Sequence, residues 1–249
     1  MSGHNKWSTI KHKKAATDAK KGKIYTRIVK EIILSAKSGG GDPETNPRLR
    51  TAVLSARAAN MPRENIERAI KRGTGEIEGV SYEEITYEGY GHNGVGIVVE
   101  VMTDNKNRTV AEVRHAFSKY GGNLAESGAV SWNFEYKGYF TVPANGLDEE
   151  EFMMQALEAG ADDVENADEY YEVYTTPADF HTVLGNMEAQ GFPVENAELT
   201  RVPKNTVNAD DVAEKLLRLI DMLEDLDDVQ KVYANFEISD EVMAELARD

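Results

Sequence analysis

Between Gly73 and Gly79 the chain changes its hydrophobic period and the sign of its charge together. Before this stretch apolar residues recur every three or four positions; after it they alternate. Residues 1–79 hold 17 Lys+Arg and 8 Asp+Glu, a net of +9, whereas residues 80–249 hold 11 and 36, a net of −25. One uniform layer of structure does not suit both regimes. The sequence calls for a basic helical head and an acidic, strand-bearing body, with "GTGEIEG" as the linker.

The formal charge of −16 and the pI near 4.8 conceal this split. Asymmetry of this kind points to a polyanion partner at one end of the molecule. The competing reading is that the lysines only solvate a helix. Their clustering argues for binding: residues 3–23 contain seven lysines and a single acid, Asp18.

With 249 residues the chain can form one large domain or two to three small ones. A hydrophobic fraction of 41% with 29% charged residues is that of a globular chain. The most apolar run, "IVVEV", is broken by Glu100, well short of a membrane span. The N-terminus lacks the apolar core of a secretory signal, and its lysines fit the Arg- and Ser-rich pattern of a mitochondrial transit peptide poorly. There is no cysteine, which rules out disulfides and thiolate chemistry and accords with a cytoplasmic location.

In the head, Ile24, Ile28 and Ile32, joined by Tyr25, Val29, Ile33 and Ala36, form a stripe of helical period. Lys23, Arg27, Lys30 and Lys37 fall largely off it. Gly39–Gly41 end this helix. A second follows around "RLRTAVLSARAAN", with Leu49, Val53 and Ala56 inward and Arg50 and Arg57 outward. A third opens at Pro62 and stops at Gly73.

The body begins with strands "ITYEGY" and "GVGIVVEVMT", then a helix, "RTVAEVRHAFSKYGG", with Val110, Val113 and Phe117 inward. "SWNFEYKGYFTVP" reads as a strand region with Trp132, Phe134 and Tyr136 on one side. From "GYFTV" to "VENAELTRV" the order β-α-β-β-α-β is that of a ferredoxin-like split βαβ module. A helix, "NADDVAEKLLRLIDMLEDL", capped by Asn208 with Asp210 and Asp211 in its first turn, precedes a last strand, "KVYANFEI". That strand needs a sheet, and the nearest incomplete one lies before the module. The expected fold is therefore α+β in three parts. These are a head (1–79), a discontinuous α/β middle domain (80–135 with 205–249) and an inserted ferredoxin-like domain (136–204). Sequential packing of neighbouring elements is the alternative.

Catalytic and cofactor motifs are weak. "GYGHNG", Gly89–Gly94, matches G-x-G-x-x-G, but a strand follows it where a dinucleotide site needs a helix. It reads as a turn between antiparallel strands. The histidines, His4, His12, His92, His115 and His181, show no metal-ligand spacing. No G-x-S-x-G occurs. The acidic runs "LDEEEF" and "DMLEDLDD" read as solvated faces rather than as acid/base or metal sites. No enzyme, cofactor or metal is expected. Trp7, within the lysine cluster, serves either to stack on a base or to cover the head's core.

Three long stretches, "GHNKWSTIKHKKAATDAKKGKIYTRIVKEI", "NPRLRTAVLSARAANMPRENIERAIKRG" and "YEGYGHNGVGIVVEVMTDNKNRT", with "GGNLAESGAVSWNFE" and "NFEI", closely resemble the YebC family. The one departure noted is Asn5 in "GHNKW", where the family has serine. The resemblance spans essentially the whole chain and implies the same three domains and a cytoplasmic protein. It also implies a DNA-binding transcriptional regulator. Other members, among them a mitochondrial translational activator, act in translation on the ribosome and ease elongation at difficult sequences such as proline runs. The family supplies no catalytic residues.

The expected function is a non-enzymatic, nucleic-acid-binding regulator of gene expression. Its partner is DNA or ribosomal RNA, and in the second case the ribosome. The expected contacts are Lys6, Trp7, Lys11, His12, Lys13, Lys14, Lys20, Lys21, Lys23, Arg27 and Lys30. Phosphate contacts of this kind give affinity without sequence information.

Overall fold

A computed structural model describes residues 18–167 and 169–246; the side chains of residues 18–21 and 240 lie outside that description. The head contains three helices: α1 (Asp18–Gly39), α2 (Pro47–Ala58) and α3 (Arg63–Gly73). Asn46 caps α2, its side chain accepting the Leu49 amide, and Pro47 occupies the first turn. Ile32, Ile33 and Ala36 of α1 pack with Leu49, Val53 and Ala56 of α2 and Ile66 and Ala69 of α3. The helical spacing thus places its apolar stripe inward, except at Ile24, which is 46% exposed. The Tyr25 hydroxyl donates to the Ala59 and Asn60 carbonyls (3.1 and 2.9 Å) and ties α1 to the end of α2. Residues 74–80 are exposed throughout and connect the head to the body.

The body opens with β1 (Glu83–Tyr90) and β2 (Gly96–Thr103), an antiparallel hairpin joined by a 3₁₀ turn, His92–Gly94. Here the "GYGHNG" glycines have separate reasons. Asn93 and Gly94 take positive φ in the turn (55° and 75°). Gly89 instead admits the Phe117 ring, for a Cβ there would lie 2.6 Å from that ring and 2.7 Å from the Asn123 carbonyl oxygen. Helix α4 (Lys106–Lys119) and β3 (Asn123–Ala125) follow, β3 pairing with β1.

The next elements are β4 (Phe134–Pro143), α5 (Glu149–Ala159), β5 (Asp163–Ala167), β6 (Tyr170–Thr175), α6 (Phe180–Ala189) and β7 (Glu195–Pro203). Their sheet order is β5-β6-β4-β7, antiparallel throughout, the arrangement of a split βαβ unit. A boundary at residue 136 falls inside β4, which starts at Phe134. Before it, Ser131–Asn133 form a 3₁₀ turn, so Trp132 does not share a strand face with Phe134: Trp132 is 66% exposed and Phe134 is buried.

The chain then returns. After β8 (Val207–Asn208) come α7 (Ala213–Glu224), β9 (Val229–Ala234), β10 (Phe236–Glu237) and α8 (Asp240–Leu246). Strand β9 joins the edge of β2, giving the order β3-β1-β2-β9 across a sequence gap of more than a hundred residues. Helix α7 starts later than its cap signal suggests, because a 3₁₀ turn, Asp210–Val212, intervenes. Asp210 instead accepts the Ser239 amide (2.7 Å). Leu216, Leu219, Ile220 and Leu223 of α7 bury their stripe with Val113 and Phe117 of α4 against Ile97, Val99 and Val232 of the sheet. Among the described residues, then, helices are segregated from two four-stranded antiparallel sheets: an α+β architecture.

The Gly89 contact gives the first prediction. Gly89→Ala should destabilise the protein by about 1–3 kcal/mol, since overpacking forces the Phe117 ring or β3 to move. Urea unfolding checks it, and an unchanged midpoint would show that the ring has room.

Candidate nucleic-acid interface

Lys23, Arg27 and Lys30 stand at i, i+4 and i+7 on α1 and so share one helix face. That face does not look into solvent. It lies against the turn between α7 and β9, residues 225–228. Lys23 pairs with the Asp225 carboxylate at 3.0 Å and also donates to the Asp225 carbonyl. Arg27 Nη2 donates to the Glu224 carbonyl at 2.5 Å. Burial lowers the Arg27 pKa, and the nearby charges of Glu224, Asp225 and Asp227 oppose that shift.

Lys30 goes deepest. It is 4% exposed, and its ammonium donates to Asp228 Oδ1 (2.8 Å) and to the carbonyls of Asp227 (2.9 Å) and Met102 (3.1 Å). All three of its protons are thereby placed. The expected phosphate contact at Lys30 is corrected accordingly: it is a buried structural cation. Its position off the apolar stripe is real, but a second polar surface covers it.

The partner carboxylate is as fully engaged. Asp228 Oδ2 accepts from Arg108 (2.6 Å), Thr109 (2.7 Å) and Thr103 (3.0 Å). Burial disfavours its charged form, yet the hydrogen bonds from Arg108, Lys30 and Thr109 outweigh burial and hold the carboxyl well below the ordinary aspartate range. The run "DMLEDLDD" is therefore not uniformly a solvated face, because Asp228 is buried. Nothing in the sequence distinguishes Asp228 from its neighbour Asp227; only the start of β9 at Val229 turns it inward.

Further polar contacts join head and body. Arg48 of α2 bonds Glu31 of α1 within the head (2.6 Å) and also Glu84 of β1. Lys37 reaches the Ser81 hydroxyl at 2.9 Å. Tyr82 packs against the head's apolar cluster. Head cations thus meet body anions and carbonyls along most of this contact.

Of the other expected contacts, Lys6, Trp7, Lys11, His12, Lys13 and Lys14 lie outside the described residues. Lys20 and Lys21 lie on the described backbone of α1, but their side chains are outside the description. The head also exposes Arg50, Arg57, Arg63, Arg68, Lys71 and Arg72 on α2 and α3. Arg63 pairs with Glu67 (2.7 Å), and Arg50 holds the loop carbonyls of Pro43 and Glu44. The helical periodicity had turned Arg50 and Arg57 outward; counting every exposed cation of the head, and not the lysine cluster alone, would have found the rest. Among the described residues no group of three or more His, Asp or Glu side chains is placed to hold a metal ion, and no helix is long and apolar enough to cross a membrane.

Residues 5–76 match the TACO1/YebC protein N-terminal domain, and residues 82–236 match the TACO1/YebC second and third domain. The chain belongs to the TACO1/YebC family. The junction between the two matches falls in the exposed linker. A TACO1/YebC relative from Persephonella marina, named a probable transcriptional regulatory protein, is 57% identical over 99% of this chain and all of its own. One of the same name from Geobacter sulfurreducens is 59% identical, again over 99% and 100%. The crystal structure of a conserved hypothetical protein from Aquifex aeolicus superposes with a TM-score of 0.79 at 50% identity, covering 91% of this chain and 94% of that one.

The Lys30–Asp228 pair generates a prediction of magnitude and of pH. Asp228→Ala strands a buried ammonium and should cost about 3–5 kcal/mol in urea unfolding. The Asp228 pKa is lower folded than unfolded. Its contribution is therefore complete above the unfolded value of about 3.9 and is lost as pH falls below that toward the folded pKa. Asp228→Asn should flatten this acid limb; an acid limb as steep as wild type would show that other carboxylates govern it.

Proposed function

We propose that this protein regulates gene expression by binding nucleic acid through its basic head, as a non-enzymatic factor of the cytoplasm. The observation that carries this reading is the charge split, +9 in residues 1–79 against −25 in the remainder, with seven cations of α2 and α3 exposed. Phosphate contacts by the lysines of residues 6–23 would supply affinity, and the acidic body would repel a polyanion elsewhere and orient docking. The name shared by the relatives from Persephonella marina and Geobacter sulfurreducens supports a role in transcription, and DNA is the partner proposed for that role. The chain divides in this reading into a head (1–79), a discontinuous middle domain (80–135 and 205–249) and an inserted ferredoxin-like domain (136–204). The apolar clusters of α1–α3, of the β1–β2–β9 sheet and of the β4–β7 unit support that division.

Titration with duplex DNA and with structured ribosomal RNA, each over a salt series, tests the reading. Neutralising Lys11, Lys13 and Lys14 together to glutamine should weaken binding whatever the sequence. It should also reduce the slope of log K against log salt by about 2.1–2.7 for three lost contacts. Thermal stability should hold, since surface substitutions usually shift it by only about ±0.5 kcal/mol. Tighter binding to duplex DNA is the result expected of a transcriptional role, and tighter binding to ribosomal RNA would move the site of action to translation. Wild-type affinity and slope in the triple variant would contradict binding by the lysine cluster.

A further inference from the structure

The contact between α1 and the α7–β9 turn has two unequal parts. The Lys30–Asp228 pair is buried, and each partner has its hydrogen-bonding capacity filled. Three and seven residues N-terminal, at Arg27 and Lys23, the contact is looser. Lys23 is one-third exposed and its partner Asp225 is 78% exposed. Arg27 donates from Nη2 to a backbone carbonyl, and its Nε is buried with no hydrogen-bond partner. A buried guanidinium N–H with an unmade bond is unfavourable, because it has lost water and gained nothing. This end of the contact therefore leaves Arg27 short of the planar, two-pronged anion that a guanidinium binds best.

What faces these two cations is a turn of the acidic body. It presents the Asp225 carboxylate and the carbonyls of Glu224 and Asp225. The turn resembles a phosphodiester in charge and in acceptor-only chemistry, but what it offers Arg27 is a single backbone carbonyl, a weaker match to a fork of N–H donors than a two-oxygen anion. Exposed pairs such as Lys23–Asp225 are worth only about 0.2–1 kcal/mol and are screened by salt. The turn can therefore be displaced at this end without breaking the buried pin at Lys30.

We propose that Lys23 and Arg27 belong to the phosphate-binding surface of the head and that the Glu224–Asp225 turn is its intramolecular occupant, an autoinhibitory clasp that a nucleic-acid backbone displaces. This deepens the functional reading above and rests on it. In the closed form the turn masks the two cations that continue the lysine cluster along α1. A phosphodiester reaching Lys23 from the N-terminal side meets Arg27 next and gives its Nε the acceptor it lacks. The clasp opens about the Lys30–Asp228 pin, so the head changes its angle to the body without leaving it. A weak intramolecular competitor also raises discrimination, since isolated phosphates do not outcompete a tethered carboxylate whereas a continuous backbone does.

The absence of cysteine allows a direct test on the full chain. Leu54→Cys on α2 and Lys215→Cys on α7, both exposed, carry a spin-label pair across the contact. Duplex DNA and ribosomal RNA are the probes. Binding of either should lengthen or broaden the head-to-body distance. Asp225→Asn should shift the distance in the same direction without ligand and should tighten binding by about two- to fivefold, the equivalent of an exposed ion pair. Adding Lys23→Gln and Arg27→Gln to Asp225→Asn should abolish that gain. Binding with an unaltered distance, or an Asp225→Asn affinity equal to wild type, overturns the clasp while leaving the functional reading intact. Binding by Asp225→Asn where wild type shows none is the strongest result in its favour. Absence of binding to either polymer by both proteins overturns the functional reading and the clasp with it.

Discussion

A single buried ion pair, Lys30 with Asp228, fixes how the basic head sits on the acidic body. It joins residues nearly two hundred positions apart. It also gathers Thr103 at the end of β2 and Arg108 and Thr109 at the start of α4, so one carboxylate ties α1 to both of these elements of the body. Buried pairs are poor sources of net stability, because desolvation cancels much of the Coulomb gain. Their effect is orientational: a pair that must be satisfied permits one docking geometry and penalises neighbouring ones. Around it the contact is mostly polar, through Lys23, Arg27, Lys37 and Arg48, with Tyr82 as the apolar exception. An interface of this type holds a defined arrangement and yields to competing charge.

The charge division consequently works at two ranges. In the proposed reading, opposite fields over the whole molecule would orient a polyanion approaching in solution. At contact distance, the same opposition draws the head onto the body and occupies part of its cationic face. If the cations of α1 bind phosphate as proposed, affinity for phosphate and docking of the head are linked quantities, since both use the same side chains. A change at the α7–β9 turn, far from the head in sequence, is expected to register in nucleic-acid binding for this reason.

Much of the fold was legible because it is local. The stripe through Ile28, Ile32 and Ala36 marked α1, and the β-α-β-β-α-β order marked the β4–β7 unit. The return of β9 to the first sheet was legible by elimination, since a strand without a partner has to find one. Legibility failed where two elements meet. Lys30 was expected to contact nucleic acid because periodicity says only that a residue is off the apolar stripe, not what lies opposite. Asp228 was lost in an acidic run for the same reason. The exposed end of the stripe at Ile24 and the 3₁₀ turn before β4 are smaller failures of the same kind: one turn of helix or strand pattern persists in the sequence beyond the structure that uses it. Arg50 and Arg57 of α2 were readable as outward-facing from the helical period.

The central claim is that one end of the molecule meets nucleic acid and the other does not. Ultraviolet crosslinking of the full-length protein to bound nucleic acid, followed by peptide mapping by mass spectrometry, tests this most directly. The account predicts crosslinked peptides within residues 1–79, including α1, and none from the β4–β7 unit. Crosslinks concentrated in residues 80–249, with an unmarked head, would contradict it.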